Sequence, residues 1–255
     1  MSLQKNSHYK LNLNFVHNPY YIISKIYKNL PDIKYGEEFS MTVSVDSPLM
    51  NHTDAKILWY LLHKIQMARE GDRDAVELHL SSMYSICRDL GITDSGENYT
   101  RIEEALHKFL KVVYSFGAFY KNKRYMRVSL NLVTKVVLND KSNEISITFN
   151  KDFIEMNENT YSRIFSLPFM LSLSPSAARL YEVLESSLYN EREAWKISAD
   201  KLVDKLCIDG RYPSKTKALI SASVNEINSH LEEYEINRKY FFSVDENNIV
   251  TFIKE

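Results

Sequence analysis

The chain has 255 residues, 44% of them apolar, with 32 Lys and Arg against 33 Asp and Glu, so its formal net charge is −1. That length holds one large domain or two of ordinary size with real cores. The near-neutral balance excludes a global cationic field, so any nucleic-acid reading has to rest on local charge. The two cysteines, Cys87 and Cys207, lie far apart with no CxxC or Cys/His cluster, which argues against zinc and against a disulfide framework. No apolar run is long enough to cross a membrane and the start lacks a signal-peptide apolar core, so a soluble, cytoplasmic protein with reduced thiols is expected.

In chain order, residues 1–46 form a variable N-terminal segment. Tyr20–Leu30 reads as a short amphipathic helix stopped by Pro31, and Phe39–Val45 alternates like a strand. Thr53 is positioned to cap a strong helix from about Asp54 to Arg69, ended by Gly71-Asp72. Val76–Leu80 reads as a short strand. Ser81 or Ser82 caps the next helix, which ends at Gly91, and a further helix runs from about Tyr99 to Val113. Tyr114–Phe149 is rich in β-branched and aromatic residues. Turn signals at Lys121–Lys123 and Asn139–Asn143 make it a hairpin with a long following strand, the wing of a winged helix. Phe153–Phe169 is read as a connector with a short helix before Pro168.

Ser174-Pro175 opens the helix SAARLYEVLESSLY, and Ala194–Ile197 is a short strand. Ser198–Leu231 then reads as helix, turn, helix. Ser198 is the expected cap, Leu202, Val203 and Leu206 one apolar face, and Asp209-Gly210 the break. The second helix restarts at Tyr212-Pro213-Ser214 and places Ile220, Val224, Ile227 and Leu231 on one stripe. Two strands, Tyr234–Val244 and Ile249–Ile253, flank the turn Asp245–Asn248.

The chain says this twice. Ala55, Leu58, Trp59 and Leu62 match Ala177, Leu180, Tyr181 and Leu184; Ile86, Leu90 and Ile92 match Leu202, Leu206 and Ile208. Ile102, Leu106, Phe109 and Val113 match Ile220, Val224, Ile227 and Leu231, and the offset stays between 116 and 122 residues. Each half gives helix, strand, helix, turn, helix, hairpin. The expected class is therefore α+β: two tandem winged-helix domains produced by internal duplication. They cover 47–150 and 165–255, joined by a connector over 151–164. Duplication names no ligand, since the same fold also docks proteins.

Over Leu173–Ile253 the sequence resembles the second winged helix of the iteron-binding plasmid replication initiators, the Rep proteins. The features are SAARLYEVL, the WKIS–DKLVDKLCI step, a Tyr/Lys-containing helix start, SVNEIN and a hairpin ending VTFI. The resemblance implies a protein that binds repeated duplex DNA sites at an origin, helps open the duplex and recruits host replication proteins. It further implies repression of its own promoter as a homodimer, with no cofactor and no catalytic residue. Rep proteins are typically basic, and this chain departs from them there.

Local charge sets the expected site. From Ala105 to Asn139 there is no acidic residue but seven basic ones: Lys108, Lys111, Lys121, Lys123, Arg124, Arg127 and Lys135. Gly210–Asn225 is also free of acid and carries Arg211, Lys215 and Lys217. Two basic zones on a neutral protein can face a polyanion, with phosphate contacts giving affinity and base edges giving choice. The expected base readers are Arg211, Tyr212, Lys215 and Lys217, with Ser214 beside them. Ser221 and Asn225 lie further along, as small polar groups opposite the apolar stripe. Lys121, Lys123 and Arg124, at a hairpin tip, are expected on phosphate, and Lys108, Lys111 and Arg127 complete the N-terminal zone. An ordinary solvated hairpin tip and loop is the competing reading of these charges.

Chemistry for catalysis is missing. There is no GxxxxGK[ST] loop and no His-x-His pair, and the seven histidines are scattered. The expected function is plasmid replication initiation without enzymatic activity. A winged-helix transcriptional regulator, or a protein-docking module of the same fold, stands as the alternative.

Overall fold

A computed structural model describes residues 7–24, 32–35, 39–43, 49–116, 119–120, 123–124, 128–139, 144–159, 161–189, 192–210 and 213–255. The segment that composition left unread supplies core. In β1 (His8–Asn12) Tyr9 and Leu11 are fully buried, and in α1 (Leu13–His17) Phe15 and Val16 are too. Asn12 caps α1 by accepting from the Asn14 amide at 2.9 Å. The helix expected from Tyr20 does not form over Tyr20–Ser24, and its remainder lies outside the described residues. Ile22 N–H donates instead to the Met50 carbonyl at 2.7 Å, and Tyr20 and Tyr21 are driven inward by their large apolar area. β2 (Asp32–Tyr35) and β3 (Phe39–Val43) pair antiparallel.

α2 (His52–Gly71) begins two residues earlier than its sequence advertises. The cap is Asn51, not Thr53. Asn51 Oδ1 accepts from the Thr53 and Asp54 amides at 2.8 and 3.2 Å, and Asp54 Oδ2 accepts from Asn51 N–H at 2.8 Å. This reciprocal box satisfies three free donors. β4 (Glu77–Leu80) follows. α3 (Met83–Leu90) is capped by Ser82 and closed by Gly91 at φ +68, a left-handed conformation that glycine adopts without Cβ strain. α4 (Gly96–Lys111) is capped by Ser95.

The strands after α4 pair in two ways. β5 (Val112–Phe116) and β8 (Val128–Asn131) join β3 and β2 in a four-stranded sheet ordered β2-β3-β5-β8, with the two-residue strands β6 (Phe119–Tyr120) and β7 (Lys123–Arg124) paired between them. β9 (Val133–Leu138) and β10 (Ile145–Phe149) pair with β4 in the order β4-β10-β9. The wing is therefore β9–β10. The strands β6 and β7 form a two-stranded sheet of their own, which the sequence reading did not separate from the wing, and residues 121–122 lie outside the described residues.

α5 (Lys151–Asn159) and β11 (Ser162–Ser166) come next, and β11 pairs antiparallel with β1. α5 is a short helix before Pro168, as expected, and α6 (Leu167–Ser172) carries that proline in its first turn, where its missing N–H costs nothing. α7 (Pro175–Ser187), β12 (Ala194–Ser198), α8 (Ala199–Leu206), α9 (Pro213–Glu233), β13 (Tyr240–Val244) and β14 (Ile249–Lys254) complete the chain. Ser174 and Ser198 have N-cap backbone but neither hydroxyl caps. β13 begins at Tyr240, not Tyr234: α9 runs to Glu233, and Asn228 pins Tyr240 by bonds of 2.7 and 2.8 Å to its carbonyl and amide.

The sheet β12-β14-β13 repeats the order β4-β10-β9, first strand on the last, last on the one before. Ile102 and Ile220 thus sit on equivalent helices, α4 and α9. The matched stripes are buried in both copies except at half-buried Leu90 and at two ends. Ile92 and Val113 are 37% and 38% exposed, whereas Ile208 and Leu231 are buried. α4 stops two residues before Val113, which turns outward in β5, while α9 continues past Leu231. Each fully buried aliphatic side chain is worth about 1.5–3 kcal/mol, so these stripes fix both helices.

Candidate nucleic-acid interface

α8 and α9 form the second helix-turn-helix. α8 is capped at its C-terminus by Cys207, a buried non-glycine residue in the left-handed region at φ +53. The turn then packs tightly on α8: a Cβ at Gly210 would lie 2.7 Å from Val203 Cγ1. Arg211 and Tyr212 lie outside the described residues. α9 buries Thr216, Ile220, Ser223, Val224, Ile227 and Leu231. Directly opposite runs an exposed row, Ser214, Ala218, Ala222, Asn225 and Ser229, flanked by exposed Lys215 and Lys217 and half-buried Ser221. No acid occurs from Pro213 to Asn225. The next, Glu226, is turned to the start of α7. Its two oxygens accept from the Ser174 amide and hydroxyl, each at 2.6 Å, where a helix N-terminus favours negative charge. The exposed face of α9 is small, polar and locally cationic over its first three turns.

α4 occupies the same place in the first unit with different chemistry. Its exposed residues are Glu97, Thr100, Arg101, Glu103, Glu104, His107 and Lys111, and Arg101 is paired with Glu97. Lys108, expected on this surface, is 7% exposed and points inward, its Nζ 2.8 Å from Asp54 Oδ2. It flanks the apolar stripe next to Ala105, and the buried carboxylate at the start of α2 draws it in. Lys108 is therefore a tie between α4 and the cap of α2 and leaves the candidate surface. Lys111 is exposed in the last turn of α4. Lys123 and Arg124 lie on β7, which pairs with β6 in a sheet separate from that of the wing, and Lys121 and Arg127 are outside the described residues.

Sequence reasoning missed a buried polar cluster between the units. Arg179 and Glu182 on α7 are both 0% exposed and paired at 2.7 Å. Tyr20 O–H donates to Glu182 at 2.5 Å and accepts from Trp59 Nε1 at 2.6 Å. Burial raises the Glu182 carboxyl above its ordinary range, with Arg179 and Tyr20 opposing. The signal in the sequence was an i, i+3 charge pair inside the otherwise apolar run Ala177–Leu184. Among the described residues no group of His, Cys, Asp and Glu is placed to hold a metal, and no helix is long and apolar enough to cross a membrane.

A helix-turn-helix followed by a hairpin, twice in one chain with one recognition helix cleared of acid, defines a tandem winged-helix protein. The family model for the initiator replication protein, WH1, matches residues 32–185, and the chain belongs to that family. Among solved structures it is similar to domains 2 and 3 of RctB, with TM-score 0.58 and 11% identity over 94% of this chain and 96% of that one. It is also similar to the Pi initiator protein in complex with iteron DNA, with TM-score 0.57 and 13% identity over 99% and 98%. No curated protein sequence matches it significantly.

Proposed function

We propose that this replication initiator binds repeated duplex DNA sites at a plasmid origin, reading base edges with α9. The observation that carries the reading is the exposed row Ser214–Ser229, small and free of acid, with Lys215 and Lys217 at the helix start where a recognition helix meets the major groove. Short side chains let the helix backbone approach the groove floor, and the two lysines face phosphate or guanine. The similar Pi initiator is known in complex with iteron DNA, which supports the same ligand class here. Promoter repression as a homodimer, recruitment of host replication proteins, a cytoplasmic setting and the absence of enzymatic activity are further parts of this reading.

The experiment is selection of bound duplexes from a random pool, followed by titration of selected and scrambled duplexes with Lys215→Ala and Lys217→Ala. A converged sequence is expected. Loss of a base-reading contact costs about 1–3 kcal/mol on the selected duplex alone, whereas loss of a phosphate contact weakens both and lowers the salt slope by about 0.9. A pool that never converges, with no duplex binding at low salt, overturns the proposal.

A further inference from the structure

In the alignment that sets Ile102 on Ile220, the outward face of α4 reverses the chemistry of α9. Glu97 falls where α9 has Lys215, Tyr99 where it has Lys217, Glu103 where it has Ser221 and Glu104 where it has Ala222. Glu97, Glu103 and Glu104 are exposed and Tyr99 is half-buried. Glu97 is paired with Arg101, but Glu103 and Glu104 have no ion-pair partner among the described residues. Carboxylates at these positions repel a polyanion and suit a partner of positive charge.

A cleft of about 340 Å³, half-open to solvent, adjoins this face. Its walls come from the start of α3, the first half of α4 and the strands of the β9–β10 wing. Met83 and Leu138 supply apolar lining, Tyr84 and Tyr99 two aromatic rings, and Glu103 and Glu144 two carboxylates. No cation lines it among the described residues. Tyr84 leaves 51% of its surface in water. Tyr99 is held by its hydroxyl, which donates to Asp94 Oδ1 at 2.5 Å, so a third carboxylate stands at the end of that ring. Aromatic faces attract a cation through their quadrupole, and carboxylates bind it by charge-assisted hydrogen bonds. A guanidinium uses both together, because its plane stacks on a ring while its N–H fork reaches the carboxylates; an ammonium is a point charge without that plane.

We infer that this cleft and the adjoining face of α4 dock an arginine-bearing segment of a partner protein, the guanidinium seated against Tyr84 and Tyr99 and bonded to Glu103 and Glu144. The inference does not depend on what α9 binds. The test uses the full chain to select binders from a displayed pool of random short peptides. The best peptide is then labelled and titrated by fluorescence anisotropy. Selected peptides are expected to share an arginine, and replacing it by norleucine should abolish binding. Glu103→Gln should weaken the peptide by about 5–10-fold and Tyr84→Ala by about 2–5-fold. Both residues are exposed, so the variants should keep the wild-type unfolding midpoint. Glu246→Gln removes an exposed charge from the turn of the other wing and should change binding by less than about 2-fold. Equal losses for Glu246→Gln and Glu103→Gln would reduce the effect to net charge and overturn the inference. A pool that enriches no arginine, or a peptide indifferent to Glu103→Gln, overturns it too. Undiminished affinity with lysine in place of the arginine refutes the guanidinium assignment. Self-association of the wild type in sedimentation, lost in Glu103→Gln, would seat a second copy on this face and also overturn the inference.

Discussion

Lys108→Met separates a core role from a DNA role at a residue whose sequence context points to DNA. Lys108 Nζ lies 2.8 Å from Asp54 Oδ2, and the two side chains are 9% and 4% exposed. Removing one partner of a buried pair costs about 3–5 kcal/mol because the other charge is stranded. Methionine keeps the packing of the aliphatic stem, and Asp54 keeps its bond from the Asn51 amide at 2.8 Å. Burial already lifts the Asp54 carboxyl, so the orphan is able to take up a proton. The low end, about 3 kcal/mol, is the expected loss. For a chain of this size that lowers the unfolding midpoint by roughly 6–12 °C. Thermal unfolding followed by circular dichroism at neutral pH reads it directly. Adding Asp54→Asn, which still accepts from Asn51, should restore most of the loss because no buried charge then remains. An unchanged midpoint with weaker DNA binding and a salt slope smaller by about 0.9 would put Lys108 on phosphate and refute the reasoning.

Three further outcomes follow from the geometry. Gly210→Ala drives a Cβ to within 2.7 Å of Val203 Cγ1, so it should destabilise the turn before α9 by about 1–3 kcal/mol, and Val203→Ala should relieve part of that loss in a double variant measured by urea unfolding. His17 and His52 are held neutral by burial, their pKa values lowered to about 4 and about 3, with Lys205 and Lys56 adding to the shift. The unfolded chain therefore binds more protons than the folded one below about pH 6.5, and stability is complete above that pH and falls as pH drops toward 4, by about 3 kcal/mol for each histidine. Unfolding midpoints between pH 4 and 7 test this, and His17→Gln should flatten the curve; an equally steep curve would contradict it. Asn225→Ala should lower affinity for the selected duplex and leave the scrambled duplex unaffected, since a carboxamide reads a base and gives phosphate little; equal losses on both would place it off the base edges.

The sequence alone determined the main helices of the two repeats, the duplication and the cleared face of α9. Those signals are local: a stripe such as Ile220, Val224, Ile227 and Leu231 repeats every turn, and its spacing carries the burial with it. Some strands were equally legible, as at Phe39–Val43, whereas β1, β2 and β11 went unread. Strand partners were not. β5 chose β3 and β8 while β9 and β10 chose β4, and nothing in β-branched runs distinguishes one open ladder from another. The fate of polar residues was also decided by distant partners. Lys108 lies on the edge of its helix's apolar stripe and goes inward because Asp54, 54 residues away, waits there. Tyr20 becomes a buried link because Trp59 and Glu182 converge on its hydroxyl from separate units. Periodicity tells a helix which face to bury; only the assembled fold decides which charge on its border finds a partner worth leaving water for.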